Sequence, residues 1–248
     1  MVRYSLHGGH NSIVQGANSG NRKEHIMDRQ VKDVVAAKLR ALGHTVYDDT
    51  DEVGSTQAQN LNNIVRNSNS HGVDLVISFH LNASDGNGQG VEVLYYDQKD
   101  LAAKISAQLA KDIGWRDRGA KQRTDLAVLN GTKAPAILIE LGFIDNESDM
   151  SKWNVDKIAN SIVYALTGQT IGNGGGTPPD NGVRVKTGGF SDIEAAKKLL
   201  EYAMFRKWWV EPFVNNGEFY YITGGLYEPQ LSEFEKWMKD NGWWCARV

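Results

Sequence analysis

AILIELGF, residues 136–143, sets a single carboxylate, Glu140, inside an apolar run of the kind that fills a strand covered on both faces. Leaving such a group buried and unpaired costs several kcal/mol, so the run raises the fold and the site together. VDLVISF (73–79) and VEVLYY (91–96) are of the same type, and VRYSL (2–6), TVYD (45–48) and LAVL (126–129) read as shorter strands. Between them, apolar residues recur at helical spacing. Ile26, Val31, Val34, Val35, Leu39 and Leu42 mark a helix over 22–42 that Gly43 stops, and further helices are predicted over Thr56–Asn69 with Ser55 as cap, Leu101–Ile113 and Val155–Leu166. Continuous apolar strands alternating with amphipathic helices predict an α/β fold whose mostly parallel sheet carries helices on both faces. Ligands of such sheets gather beyond the carboxyl ends of the strands.

Those ends carry polar residues. The first strand runs into HGGH with His7 and His10, the third into SFHLNAS with His80 and Asn82, and the last contains Glu140; Glu24 opens the first long helix. Two imidazoles and one carboxylate around Zn2+ leave a coordination position open, a set suited to hydrolysis, with Glu140 as general base. Plainer readings stand beside these. A histidine after a strand is commonly a hydrogen-bonded structural residue, a glutamate in a first helical turn complements the helix dipole, and a cation from elsewhere in the fold could neutralise Glu140. His25, His44 and His71 are read as structural, the last two because each abuts a helix-ending glycine. His7 is assigned with them, although it could point into the same cleft as His10.

The chain has 248 residues and a net charge of -3, so it has no basic footprint for nucleic acid as its main partner. MVRYSLHGGHN lacks the apolar core of a signal peptide, and no stretch approaches the roughly 18 apolar residues of a membrane span. The expectation is synthesis in the cytoplasm without membrane insertion. Cys245 is the only cysteine, so any metal falls to histidine and carboxylate. GNGGGTPPDNG (172–182) reads as a linker, which divides the chain into residues 1–170, a linker over 171–182, and residues 183–248. All six histidines precede it, while five of the seven tryptophans follow it, which assigns chemistry to the first part and recognition to the second.

The order of motifs resembles the zinc-dependent N-acetylmuramoyl-L-alanine amidases of the type 3 family, found in bacterial autolysins and phage endolysins. GGH (8–10), KEHIMDRQ (23–30) and SFHLNA (78–83) fill the positions of that family's ligand segments, and ELGFIDN (140–146) matches the segment of its catalytic glutamate. The resemblance covers about residues 1–168 and implies His10, Glu24 and His80 as zinc ligands and Glu140 as catalytic base. It also implies cleavage of the amide between N-acetylmuramic acid and L-alanine in bacterial peptidoglycan. One departure is that LHGGH puts His7 three places before the ligand, where many members have an aspartate. With no leader peptide expected, the enzyme would reach the wall after release, as a phage endolysin or a mother-cell autolysin. A zinc peptidase acting on the peptide stem and a non-catalytic wall-binding protein are the alternatives.

Residues 183–248 read as strand VRVKTG, helix Ile193–Ala203, strands WWVEPFV and EFYYITGG, helix Gln230–Asp240 and strand WWCARV, a ferredoxin-like βαββαβ order. The GGF and GGLY turns before its helices resemble those of SPOR domains, which implies binding to peptidoglycan glycan strands. Adjacent residues of a strand face opposite sides, so one member of each pair Trp208-Trp209 and Trp243-Trp244 is expected outside the core. Exposed aromatics suit sugar stacking or dimerisation.

Overall fold

A computed structural model describes residues 1–169, 183–190, 192–206, 208, 210–215 and 218–248. The expected linker at 171–182 lies outside the described residues, and the chain separates into two compact units, Met1–Ile171 and Gly172–Val248.

The first unit begins with β1 (Arg3–Gly8), a small hairpin of β2 (Asn18–Ser19) and β3 (Arg22–Lys23), and helix α1 (Glu24–Ala41). It continues through β4 (Thr45–Asp48), α2 (Gln57–Ser70), β5 (Leu75–Asn82), β6 (Val91–Tyr95), α3 (Lys99–Ile113) and β7 (Asp117–Gln122). Short α4 (Ala127–Asn130), β8 (Ala136–Phe143), short α5 (Glu147–Met150) and α6 (Val155–Thr167) complete it. The six-stranded sheet has the order β4-β1-β5-β8-β6-β7, parallel throughout except where β6 lies antiparallel to β8.

Alternation along each strand divides the core in two. Ile137, Ile139 and Leu141 of β8 join Ile77 and Phe79 of β5 in a large cluster beneath α1, α3 and α6. Ala136 and Leu138 of β8 join Val76 and Leu94 in a smaller cluster covered by α2 and α4 through Ile64, Val128 and Leu129. Continuing the second series places Glu140, and His80 on β5, on the face with less helical cover.

Two expectations need correction, and one strand, β7, was not read from the sequence. LAVL forms no strand: Leu129 and Asn130 both donate backbone N–H groups to the Leu126 carbonyl, and Val128 and Leu129 are buried together in a turn of helix. The edge strand β7, DRGAKQ, has no apolar alternation and pairs through its backbone alone on one side. The cap of α2 is Thr56, whose hydroxyl accepts from Gln59 N at 3.2 Å, while Ser55 donates to the Gln59 side chain.

The second unit contains β9 (Val185–Thr187), α7 (Ile193–Arg206), β10 (Val210–Asn215), β11 (Glu218–Thr223), α8 (Gln230–Asp240) and β12 (Cys245–Arg247). Its antiparallel sheet runs β10-β11-β9-β12, the ferredoxin-like order. Leu199, Phe234 and Met238 from the helices pack on Val185 and Tyr221. Trp237 stacks on Tyr202 at 4.0 Å and Trp243 meets Phe190 edge-on, whereas Trp244 is 62% exposed. The second tryptophan pair therefore divides between core and surface. Of the first pair, Trp208 packs against the core and Trp209 lies outside the described residues. Among the described residues, no helix is long and apolar enough to cross a membrane.

One buried carboxylate ties the end of β8 to the start of β6. Asp149 Oδ2 accepts from Gly90 N at 2.7 Å and from Phe143 N at 2.9 Å, and its side chain has no access to water. Asp149→Ala leaves both buried donors unsatisfied, so urea denaturation should find a loss of roughly 2–4 kcal/mol in unfolding free energy.

Candidate metal centre and catalytic carboxylate

Glu24 begins α1 at the point where the β3 hairpin delivers the chain to the sheet's open end. Its backbone N–H donates to the Ala17 carbonyl at 2.9 Å, and its Oε2 accepts from Ala17 N at 2.7 Å. Oε1 accepts from Leu81 N at 3.1 Å, so both carboxylate oxygens are fixed by backbone donors from different parts of the fold. His80 Nδ1 lies 3.0 Å and His10 Nε2 3.5 Å from that same Oε1, and the two rings stand nearly perpendicular.

One nitrogen or oxygen from each of His10, Glu24 and His80 lies within 4.8 Å of the other two, a group that could hold a metal ion. A tetrahedral site with bonds near 2.1 Å has edges of about 3.4 Å, close to the two separations above. The donor set, two imidazoles and one carboxylate, therefore fits zinc with a fourth position left to water or substrate.

The HGGH turn brings the imidazoles this close. Gly9 donates to the Phe79 carbonyl at 3.0 Å, and a Cβ there would sit 1.8 Å from the His80 ring. Gly16, at φ +72°, passes equally close to Glu24 and His10, where a Cβ would lie 2.5 Å from each. Beyond the turn, Asn11 donates to buried Asp51, which also accepts from Asn60, Asn63 and Gly54. This anchors the loop that follows His10 to α2.

The electrostatics are those of a site that attracts positive charge. Burial works to lower the His80 pKa, but the hydrogen bond to Glu24 and the charges of Glu140 and Glu24 prevail and push it up to about 9. Its Nδ1–H then donates to Glu24, whose own pKa is lowered because His80 outweighs the cost of burial. His10 is pushed down to about 4 by burial and by the neighbouring His80.

Glu140 stands directly beside His80 in the β5–β8 register, and Glu92 stands beside Glu140 on β6. The three form one row on the less covered face. Glu92 accepts from Asn82 and from Arg118, but among the described residues Glu140 Oε2 has no hydrogen-bond partner. Burial, opposed by His80 and reinforced by Glu24 and Glu92, raises the Glu140 carboxyl to about 7, the range a general base needs near neutral pH. A pocket of about 230 Å³ adjoins this row, with His10, His80 and Gly9 on one wall and Leu61, Leu126 and Val128 on another.

The remaining histidines lie outside the cluster of His10, Glu24 and His80. His44 accepts from Val2 N, and His71 stacks on Tyr47 at 3.9 Å beside Asp49. His7 is fully buried, lines no part of that pocket, and is kept neutral by burial, with its pKa near 3. Residues not singled out in the sequence are Asp28, one helical turn beyond Glu24 and pushed up to about 7 by burial, and the pair Glu92 and Arg118. Glu92 carries the same signal as Glu140, a lone carboxylate in an apolar strand. Asp28 is marked only by its i+4 spacing from Glu24.

Comparisons with known proteins place the chain in a family. The family described as N-acetylmuramoyl-L-alanine amidase matches residues 6–169. N-acetylmuramoyl-L-alanine amidase LytC of Bacillus subtilis is 32% identical over 167 residues, which cover 62% of this chain and 32% of LytC. The uncharacterised protein YqiI of the same organism is 30% identical over 171 residues, 64% of this chain and 79% of YqiI. Among solved structures, the catalytic domain of the CD27L endolysin targeting Clostridia difficile superposes with a TM-score of 0.62 at 31% identity. That match covers 69% of this chain and 99% of the endolysin domain.

The tightest steric constraint in the site gives a direct test. Gly9→Ala forces the His80 ring away from Glu24, so metal content by elemental analysis should fall at least tenfold at limiting metal, while circular dichroism reports a folded chain.

Proposed function

The chain belongs to the N-acetylmuramoyl-L-alanine amidase family, an enzyme family acting on bacterial peptidoglycan, and from that premise we propose how its residues act and on which bond. His10, Glu24 and His80 hold a zinc ion, and the bond broken is the amide joining the lactyl group of N-acetylmuramic acid to L-alanine. A bound zinc ion supplies a Lewis acid for the amide carbonyl and lowers the pKa of water. Glu140 takes a proton from the attacking water and delivers it to the leaving amine of L-alanine. The observation that carries this reading is the position of Glu140: in register with His80, poised near neutrality, with Oε2 unpartnered. Glu24 and the two imidazoles keep their places through backbone hydrogen bonds and the glycine contacts, so they are ordered before substrate arrives.

The second unit acts as a SPOR-like wall-binding module. Lys186 pairs with Ile222 and Ala246 across the sheet, on the side opposite buried Val185 and Thr187. On that face Lys186 lies over Tyr220 at 4.5 Å, and Phe213 stacks on Tyr220 at 5.3 Å. Exposed Trp244 adds a further ring beside Gly188. Rings and a cation on an uncovered sheet suit the apolar faces and hydroxyls of a glycan. Joining a wall-binding unit to the hydrolase in one chain raises the local concentration of the hydrolase at its polymer.

Three variants and the released fragments test the proposal. Glu140→Gln should retain zinc and fold yet lose at least about a hundredfold in release of L-alanine amino termini from purified walls, whereas His80→Ala should lose the zinc itself. Mass analysis of the fragments separates this from stem-peptide cleavage, which would expose the amino group of a later residue. For the second unit, Trp244→Ala should weaken sedimentation of the full chain with walls, and unaltered sedimentation would remove Trp244 from the binding surface.

A further inference from the structure

The row of side chains beside Glu140 ends in a cation for which hydrolysis has no use. In the β6–β7 pair, Val91 lies opposite Asp117 but Glu92 lies opposite Gly119, which leaves Arg118 as the extra residue of a bulge. Gly119 takes φ +74°, a conformation that favours glycine. A bulge re-aims side chains, and here it brings Arg118 to the same side of the sheet as Glu92. Arg118 Nε–H donates to Glu92 Oε2 at 2.8 Å, and the guanidinium carbon lies 5.0 Å from the centre of the Phe143 ring. The other oxygen of Glu92 accepts from Asn82 Nδ2 at 2.9 Å. The arginine is thus held from its Nε edge and from one face.

Guanidinium carries five N–H donors in a rigid fork. Among the described residues only the Nε–H has a partner, and the side chain is 33% exposed, so the terminal amino groups are available to a ligand. A cation fixed in this way binds a planar anion with little loss of side-chain freedom.

We propose that Arg118 forms a carboxylate subsite for the peptide stem, one residue beyond the amide that is cut. The proposal rests on the amidase reading given above. In peptidoglycan the residue after L-alanine is D-glutamate joined through its γ-carboxyl, which leaves its α-carboxyl either free or amidated. Neighbouring strands lie about 4.8 Å apart, and Arg118 holds the far oxygen of Glu92, so its guanidinium stands roughly 5–10 Å from Glu140. An extended chain advances about 3.5 Å per residue, which carries the α-carboxyl of the second stem residue into that interval. Arg118 thereby sets specificity: it favours stems with a free α-carboxylate over those in which the group is a carboxamide.

The test uses the full zinc-loaded chain and two muropeptides that differ only in that group. The parent should cleave the free-acid substrate with a kcat/KM about tenfold or more above that of the amide, the scale of one charge-assisted hydrogen bond. Arg118→Gln should bring this ratio close to one, chiefly by raising KM for the acid, and Arg118→Lys should retain part of it. Because Arg118→Gln leaves Glu92 without its counter-ion, the double variant Arg118→Gln, Glu92→Gln serves as the second arm and should lose the preference likewise. Equal cleavage of both substrates by the parent, or a preference that survives in both variants, overturns the subsite. A drop in kcat alike for both substrates with KM unchanged also overturns it, in favour of a structural role. A parent that frees no L-alanine amino terminus from either substrate refutes the amidase reading itself.

Discussion

The carboxylate of Glu24 is the constraint on which the site depends. It belongs to a helix, yet its two oxygens are held by backbone donors from the loop before that helix and from strand β5. A side chain bound in this way cannot follow its own helix alone. It fixes the distance from α1 to the sheet, and the two imidazoles take their positions from its Oε1. The glycines around it are required by the same closeness: His80 occupies the space where Gly9 would carry a Cβ, and Glu24 with His10 the space at Gly16.

The sheet then converts a one-dimensional pattern into a site. With a side-chain period of two, a strand covered unequally on its faces can bury every residue of one series and release the last residue of the other. β8 does this: Ile137, Ile139 and Leu141 are fully buried beneath the long helices, while Ala136 and Leu138 lead to Glu140 beyond the reach of α2 and α4. β5 repeats the device with His80, and β6 sets Glu92 beside Glu140 in the same row. The charge in AILIELGF is tolerated because the helical cover ends where the charge begins.

This explains what could be read from sequence and what could not. Strand β8 and helix α6 were legible because apolar periodicity is strong where burial is extensive, and His80 and Glu140 were legible as exceptions to that periodicity. Edge strand β7 was not, because an edge needs no apolar alternation, and its polar run DRGAKQ is compatible with a loop. LAVL was misread because four apolar residues bury equally well as strand or as one helical turn, and only the hydrogen bonds onto Leu126 decide between them. Glu24 was visible, but a first-turn glutamate serves the helix dipole whether or not it holds a ligand. Arg118 carried little signal, since a bulge is a property of the register between two strands, and the one mark it leaves, Gly119, does not show which side chain the bulge re-aims.

The distribution of countercharge across the row accounts for the character of Glu140. Glu24 has His80 and two backbone donors, and Glu92 has Arg118 and Asn82. These two paired carboxylates stand one on each side of Glu140. Burial comes first in raising its pKa, and the charges of Glu24 and Glu92 add to it against the opposing charges of His80 and Arg123. A carboxyl with one unpartnered oxygen and two carboxylates flanking it is the one most ready to hold a proton taken from elsewhere. The unpaired oxygen of Glu140 is therefore a consequence of how well its neighbours are paired, and the same side chains that order the site leave that one position open to chemistry.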